Sequence, residues 1–411
     1  MILKETLAKV VRLQREELNL KETGVERELL KSIDLKSSHA VILSGIRRCG
    51  KSTLLRQLMK RVKNPNYFNF EDLRAVNFEA SDFEKLGEVF SEENGGDTYF
   101  FDEIQVVSHW EKFIRHLLDL GKKCVITGSN ASLLSKELGT LLTGRHLTHE
   151  LFPFSYNETL HFLKNIRSPT SFGEYLKYGG FPEFLKYLLK KEIKIEILQE
   201  FLNDIVVRDV AARYAIKDVR RLKEMVIYLL TNAGKNFSYN KLAKYFNLGS
   251  VHTMISYINF LEDSYLLFTV PSFGYSLKKQ IINNKKIYGI DTGLSNANSI
   301  AFSSDAGRIL ENLVFLHLRR WAKEIYYYRG EKECDFIFDK WLAIQVCYKL
   351  NEENKKRELE GLKEAVQKLH RKERTGIIVT FNQQDTLGGF PVMRAYDWLC
   401  SNPSNWLINK F

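Results

Sequence analysis

No apolar run among these 411 residues approaches the roughly 18 consecutive residues that a membrane-spanning helix needs, so a transmembrane protein is not expected. The opening residues, Met-Ile-Leu-Lys-Glu-Thr, carry neither the basic nor the apolar region of a secretory signal. An intracellular, cytoplasmic protein is therefore expected. Cysteine is sparse and scattered: Cys49, Cys124, Cys334, Cys347 and Cys400 form no C-x-x-C pair, which argues against a disulfide framework and against a zinc knuckle. What is present, 44% hydrophobic and 27% charged residues, suits a soluble globular chain of two or three domains.

The formal net charge of +11 is unevenly spread. Residues 216–304 hold 11 Lys and Arg against 5 Asp and Glu, more than half of the excess in under a quarter of the chain. A local surplus of this kind suggests an anionic partner, nucleic acid first, although lysine-rich surfaces also serve solubility alone.

The stretch that organises the chain is Val41-Ile-Leu-Ser-Gly-Ile-Arg-Arg-Cys-Gly-Lys-Ser-Thr53. Val41 to Leu43 read as a buried strand. Gly45, Ile46, Arg47, Arg48, Cys49, Gly50, Lys51 and Ser52 spell G-x-x-x-x-G-K-S, the Walker A phosphate loop. Leu54, Leu55, Leu58 and Met59 follow at helical spacing. Glycines let the backbone curl so that successive N–H groups face phosphate oxygens. Lys51 is placed to reach the β- and γ-phosphates and Ser52 to hold Mg²⁺. Thr53 lies at the helix start, where the dipole favours anions.

A second apolar strand, Thr98 to Phe101, ends in Asp102 and Glu103, the Walker B pattern. An acid at the carboxyl end of a neighbouring parallel strand sits beside the phosphate loop. Asp102 is expected to bind Mg²⁺ through water, and Glu103 to polarise the attacking water. A third strand, Lys122 to Gly128, ends in Ser129 and Asn130, which suit either a γ-phosphate sensor or a helix cap. Arg145 follows a glycine and projects as an arginine finger in a ring or as a surface ion pair. His146 and His149 lack a third ligand, so no metal is assigned to them.

These residues occur in the order found in AAA+ ATPases, and the chain resembles that family. Leu151-Phe-Pro-Phe-Ser-Tyr-Asn-Glu158 and Tyr178-Gly-Gly-Phe-Pro-Glu183 resemble segments of a mainly archaeal, prokaryotic group with a C-terminal domain of the restriction-endonuclease type. The resemblance implies an α/β P-loop NTPase parallel sheet in residues 1–215, including a helical lid, and ATP with Mg²⁺ as cofactors. It also raises a homo-oligomeric ring or a protein partner.

Residues 219–230, 239–246 and 251–262 read as three short helices. Strands at 265–270 and 286–290 then flank a basic loop. Together they suggest a winged helix over 216–304 that binds DNA, or one used for protein packing. His252, Thr253, Ser256, Lys278, Lys279 and Lys285 are the candidates for contact.

The last part, 305–411, reads αβββαβ, the order of the restriction-endonuclease-like core. Glu311 and Asp335 match its helix Glu and strand Asp. The E-x-K positions hold Gln345 and Cys347, and alternation puts Lys349 on the same strand face. A neutral amide supplies no anionic metal ligand, so this site is expected to be degenerate. Three functions follow in order: an ATPase acting on DNA, an ATP-controlled switch with slow turnover, and an ATP-coupled nuclease.

Overall fold

The computed structural model describes residues 1–93, 96–129, 144–192, 194–276, 280, 283–299, 305–369 and 375–401. The chain forms two compact units, Met1–Phe152 and Pro153–Phe411.

The first unit is a parallel five-stranded sheet with helices on its faces. In chain order it runs α1 (Lys4–Leu20), β1 (Ala40–Ser44), α2 (Lys51–Met59), β2 (Asn66–Asn69), α3 (Asp82–Glu93), β3 (Thr98–Asp102), α4 (Trp110–Asp119), β4 (Lys123–Gly128) and β5 (His146–Glu150). The strand order is β2-β3-β4-β1-β5, and every neighbouring pair is parallel. Strands covered on both faces read as continuous apolar runs, and β1 is buried at all five positions. On one side Leu7, Val10 and Val11 of α1 join Phe68, Phe70, Phe83 and Phe101 in a single core. Here the rings of Phe83 and Phe113 stack at 4.5 Å. Strand β5 was not anticipated. Its residues are polar and half-exposed at the sheet edge, so no apolar run announces it.

The second unit begins with α5 (Tyr156–Leu163), α6 (Pro169–Tyr178), α7 (Pro182–Leu189) and α8 (Glu196–Asp204), followed by a π-helical stretch, Ile205–Ala212. The two family-like segments build this region. Ser155 and Glu158 form a reciprocal capping box at the start of α5, and Phe154 N donates to Gly180 O at 2.7 Å. Next come α9 (Val219–Thr231), β6 (Asn236–Phe237), α10 (Tyr239–Tyr245), α11 (Val251–Asp263), β7 (Leu267–Val270), β8 (Lys285–Gly289) and α12 (Thr292–Asn298). The three expected helices are present within a residue of their bounds. The expected two-stranded ribbon is a three-stranded antiparallel sheet, β6-β8-β7, because the two-residue β6 pairs with β8.

The unit closes with α13 (Ala306–Arg319), β9 (Ile325–Arg329), β10 (Glu333–Phe338), β11 (Leu342–Cys347), α14 (Lys355–Lys368), β12 (Thr375–Thr380), β13 (Asp385–Leu387) and β14 (Phe390–Arg394). The sheet order is β13-β14-β12-β11-β10-β9. Strands β11, β12 and β14 are parallel, and the outer pairs antiparallel. Cys334, Ile337, Ala343 and Ile378 of the sheet pack on Leu362 and Ala365 of α14. This is the expected αβββαβ order with a β-hairpin added at one edge.

Candidate nucleotide site

The loop after β1 can curl tightly because of its glycines. Gly45 has φ +153, and a Cβ there would lie 2.2 Å from the Leu151 carbonyl oxygen. Gly50 has φ +100 and caps α2, a conformation L side chains rarely adopt. Lys51 is the first residue of that helix and is buried. Its Nζ lies 3.0 Å from Gly45 O, 3.3 Å from Ile46 O and 3.6 Å from Glu103 Oε1. The phosphate loop folds back around its own lysine, and the acid after β3 faces that lysine. Cys49 is buried, and burial raises its thiol pKa. Arg48 takes a left-handed φ of 67°. The Thr53 hydroxyl accepts from Arg56 Nη2 at 3.2 Å.

The register of β3 with β4 pairs Phe101 with Ile126, which brings Asp102 beside Thr127. Thr127 Oγ1 donates to Asp102 Oδ1 at 2.5 Å and accepts from Glu103 N at 2.9 Å. The Ser52 hydroxyl also bonds Asp102. Burial and then the Glu103 charge push the Asp102 pKa up, and the hydroxyls of Thr127 and Ser52 oppose that shift. Glu103 is held by Gln105 Nε2, which donates to its Oε2 at 2.5 Å. Glu71 lies on the same rim. Burial and the charges of Glu103 and Asp102 raise its pKa, while Arg47, at 3.7 Å, lowers it. A carboxylate bonded to a hydroxyl is a hard-oxygen pair of the kind that suits Mg²⁺. Lys51 and the loop amides suit polyphosphate.

The sequence did not point to Thr127 or Arg27. Arg27, fully buried, donates from Nη1 to Cys49 O and from Nη2 to Phe152 O, both at 2.7 Å. It props the loop from behind. Of the remaining candidates, Ser129 is buried at the end of β4, and Asn130 lies outside the described residues. Arg145 pairs with Asp119 at 2.6 Å, both about half-exposed, an arrangement worth little to stability in water.

On the basic segment, His252 is exposed in the first turn of α11. Thr253 is partly committed to capping, its amide donating to Ser250 Oγ at 3.1 Å. Ser256 is half-buried on the same helix. Lys285 opens β8 with its Nζ 5.8 Å from the Tyr239 ring centroid. Lys278 and Lys279 lie outside the described residues.

In the closing sheet, Glu311 and Asp335 meet at Lys286 Nζ, at 3.0 and 3.2 Å. Gln345 belongs to a different group, donating to Glu358 Oε2 at 2.6 Å. The expected common face of Gln345, Cys347 and Lys349 needs correction. Strand β11 ends at Cys347, so alternation stops there, and Lys349 lies exposed beyond it. The Cys347 thiol is half-buried, not enclosed, and burial pushes its pKa up to about 11.

Three family models match successive stretches of the chain. A family model described as an AAA domain matches residues 37–160. Two domains of unknown function, DUF8612 and DUF4143, match residues 169–305 and 306–395. An uncharacterized protein of Methanocaldococcus jannaschii is 35% identical over 408 residues, covering 93% of this chain and 91% of the relative. One of Haemophilus influenzae is 31% identical over 402 residues, covering 91% and 98%. Among solved structures, the replication initiator DnaA bound to AMPPCP and single-stranded DNA matches at 16% identity and a TM-score of 0.31, covering 62% of this chain and 91% of that one. The yeast Hsp104:casein complex matches at 15% and 0.29, covering 63% and 52%. At those scores neither function nor partner carries over. No helix among the described residues is long and apolar enough to cross a membrane.

Proposed function

The chain belongs to the AAA-domain family that includes these archaeal and bacterial relatives, and on that premise we propose that it is a Mg²⁺-dependent ATPase coupling nucleotide state to conformational change. The observation that carries this reading is the convergence of Lys51, Ser52, Asp102 and Glu103 at one end of the parallel sheet.

In this reading, Lys51 Nζ exchanges the carbonyls of Gly45 and Ile46 for phosphate oxygens. Ser52 and Asp102 would hold Mg²⁺, which when bound would neutralise phosphate charge. Glu103 orients the attacking water and accepts its proton, and Gln105 keeps that carboxylate in place. In this reading boundaries at 215 and 304 separate an ATPase part, whose lid belongs to the second compact unit, from a winged helix and a restriction-endonuclease-like part. The last is proposed to lack nuclease activity because Gln345 supplies no anionic ligand. The basic charge of residues 216–304 supports DNA as the partner. An arginine-finger role for Arg145 in a homo-oligomeric ring requires it to leave Asp119.

The deciding measurement is steady-state ATP hydrolysis beside nucleotide affinity. Lys51→Ala should lose both. Glu103→Gln should keep ATP affinity within about threefold while hydrolysis falls at least about 100-fold, the lower end of what a general base contributes. Wild-type turnover by Glu103→Gln would remove Glu103 from the reaction. A wild-type rate that is barely measurable, with tight binding intact, would favour an ATP-controlled switch instead.

A further inference from the structure

The phosphate loop turns its carbonyls two ways. In its first half they face the lysine: Gly45 O and Ile46 O both accept from Lys51 Nζ, at 3.0 and 3.3 Å. In its second half the Cys49 carbonyl turns to the back of the loop and accepts from Arg27 Nη1 at 2.7 Å. The Cys49–Gly50 peptide is trans, and a planar trans peptide carries its C=O and N–H on opposite sides. With the carbonyl against Arg27, the Gly50 N–H faces the other way. Among the described residues that N–H makes no hydrogen bond, so it is free to take one.

Nothing in the loop itself holds this peptide in one orientation. Turning it over changes φ of Gly50, and glycine accepts φ of either sign. Arg27 supplies the missing constraint. It is 2% exposed. Its other arm, Nη2, donates to Phe152 O at 2.7 Å, and the neighbouring Leu151 N donates to Ser44 O at the end of β1, also at 2.7 Å. The Arg27 amide donates to Gln57 Oε1 at 3.2 Å, and Gln57 Nε2 donates to Thr23 O at 2.8 Å and Val25 O at 2.7 Å. Gln57 lies on α2, the helix that follows the loop. The guanidinium is thus tied to the strand before the loop, and its backbone to the helix after it. A cation on the carbonyl also polarises the amide, which makes the N–H a stronger donor.

We propose that Arg27 is a positioning residue of the nucleotide site: by holding the Cys49 carbonyl from behind, it aims the Gly50 N–H at the polyphosphate. The proposal rests on the ATP-binding reading above. It adds the residue that keeps the loop shaped as a phosphate receptor, and it gives Arg27 no part in the chemical step.

The test is titration of the nucleotide-free full chain with inorganic pyrophosphate, which presents the polyphosphate without base or sugar. Cys49–Gly50 is the single Cys-Gly step in the sequence, so carbonyl-¹³C cysteine combined with ¹⁵N glycine makes one amide visible by NMR. In wild type the Gly50 signal should shift on saturation with pyrophosphate, and its hydrogen exchange should slow at least about tenfold. Arg27→Met keeps the length of the side chain and removes its donors. It should weaken pyrophosphate and ATP binding at least about tenfold, the worth of one hydrogen bond to a charged oxygen, and leave the Gly50 amide unprotected. Gln57→Leu removes the bonds to Arg27 N, Thr23 O and Val25 O and spares the guanidinium. It should lower the melting temperature and keep pyrophosphate affinity within about threefold, which a merely structural role for Arg27 does not predict. If Arg27→Met does not fold, Arg27→Lys, whose ammonium lacks the two-pronged fork, is measured against the same outcomes. Unchanged affinity in the Arg27 variant, an equal loss in Gln57→Leu, or a wild-type Gly50 amide indifferent to saturating pyrophosphate overturns the proposal alone. A wild type that binds neither pyrophosphate nor ATP overturns the ATPase reading with it.

Discussion

Replacing Thr127 by valine exchanges one hydroxyl for a methyl in a side chain that is fully buried. The hydroxyl makes two bonds, donating to Asp102 Oδ1 at 2.5 Å and accepting from Glu103 N at 2.9 Å. Valine can do neither. A hydrogen bond to a charged group is worth about 1.5–3 kcal/mol, and an orphaned buried N–H costs about 1–3 kcal/mol. Both losses fall on one side chain and are not fully additive, so about 2–4 kcal/mol of stability should go. The chemistry should suffer more selectively. Asp102 would lose a contact that favours its ionised form, so its raised pKa should climb further. A carboxyl whose folded pKa lies above its unfolded value imposes no cost below the ordinary carboxylate range, and its full cost above the folded value. The valine protein should therefore lose ground to wild type as pH rises. Its ATP affinity without Mg²⁺ should hold, because Lys51 and the loop are untouched. Its Mg²⁺-dependent hydrolysis should fall about 10–100-fold, the usual effect of removing the partner that orients a ligand. The assay is hydrolysis against Mg²⁺ concentration, beside binding of a fluorescent ATP analogue, with Thr127→Ser as the hydroxyl-retaining control. Equal rates and equal Mg²⁺ half-saturation in wild type and Thr127→Val would refute the reasoning. So would a Thr127→Ser variant as impaired as the valine.

Two further outcomes are expected. Asp291 is buried and held by Gly180 N at 2.7 Å and Leu294 N at 2.8 Å, yet burial still raises its pKa to about 6. The folded chain then holds this proton more tightly than the unfolded one, and the second unit should lose up to about 3 kcal/mol as pH rises from about 4 to about 6. Urea midpoints across that range should show the slope, Asp291→Asn should flatten it, and an unchanged slope in the variant would assign it elsewhere. For the basic segment, duplex DNA affinity should fall steeply with salt through counterion release, and Lys285→Glu should reduce the logarithmic salt slope by about one. Affinity indifferent to both would exclude residues 216–304 as the DNA-binding surface.

The nucleotide site was legible where its geometry is local. Eight consecutive residues set the loop, and a strand ending in Asp102 and Glu103 sets the acids. Period and turn chemistry act over such distances. Thr127 was not legible, because one threonine in an apolar strand carries no sign until β3 and β4 are in register. Arg27 was hidden for the same reason, since it reaches Cys49 across 22 positions and Phe152 across 125. Strand β5 escaped because an edge strand can be polar, and Lys349 was misplaced because alternation says nothing about where a strand ends.

The acids around Lys286 show how far such misreading can travel. Motif spacing led from Glu311 and Asp335 to positions 345, 347 and 349, as though the charge partner had to lie on β11. The structure brings the partner from 25 positions before Glu311 and 49 before Asp335, on a strand of a different sheet. A buried carboxylate needs a counter-charge or a proton, but no rule of spacing says where the counter-charge must lie in the chain. Glu311 and Asp335, once placed together, demand a cation more firmly than the sequence around β11 supplies one. Lys286 meets that demand from outside the motif. Replacing Gln345 and Cys347 by Glu and Lys would therefore leave the ammonium in place between Glu311 and Asp335, and repair of the motif alone should restore no cleavage of plasmid DNA.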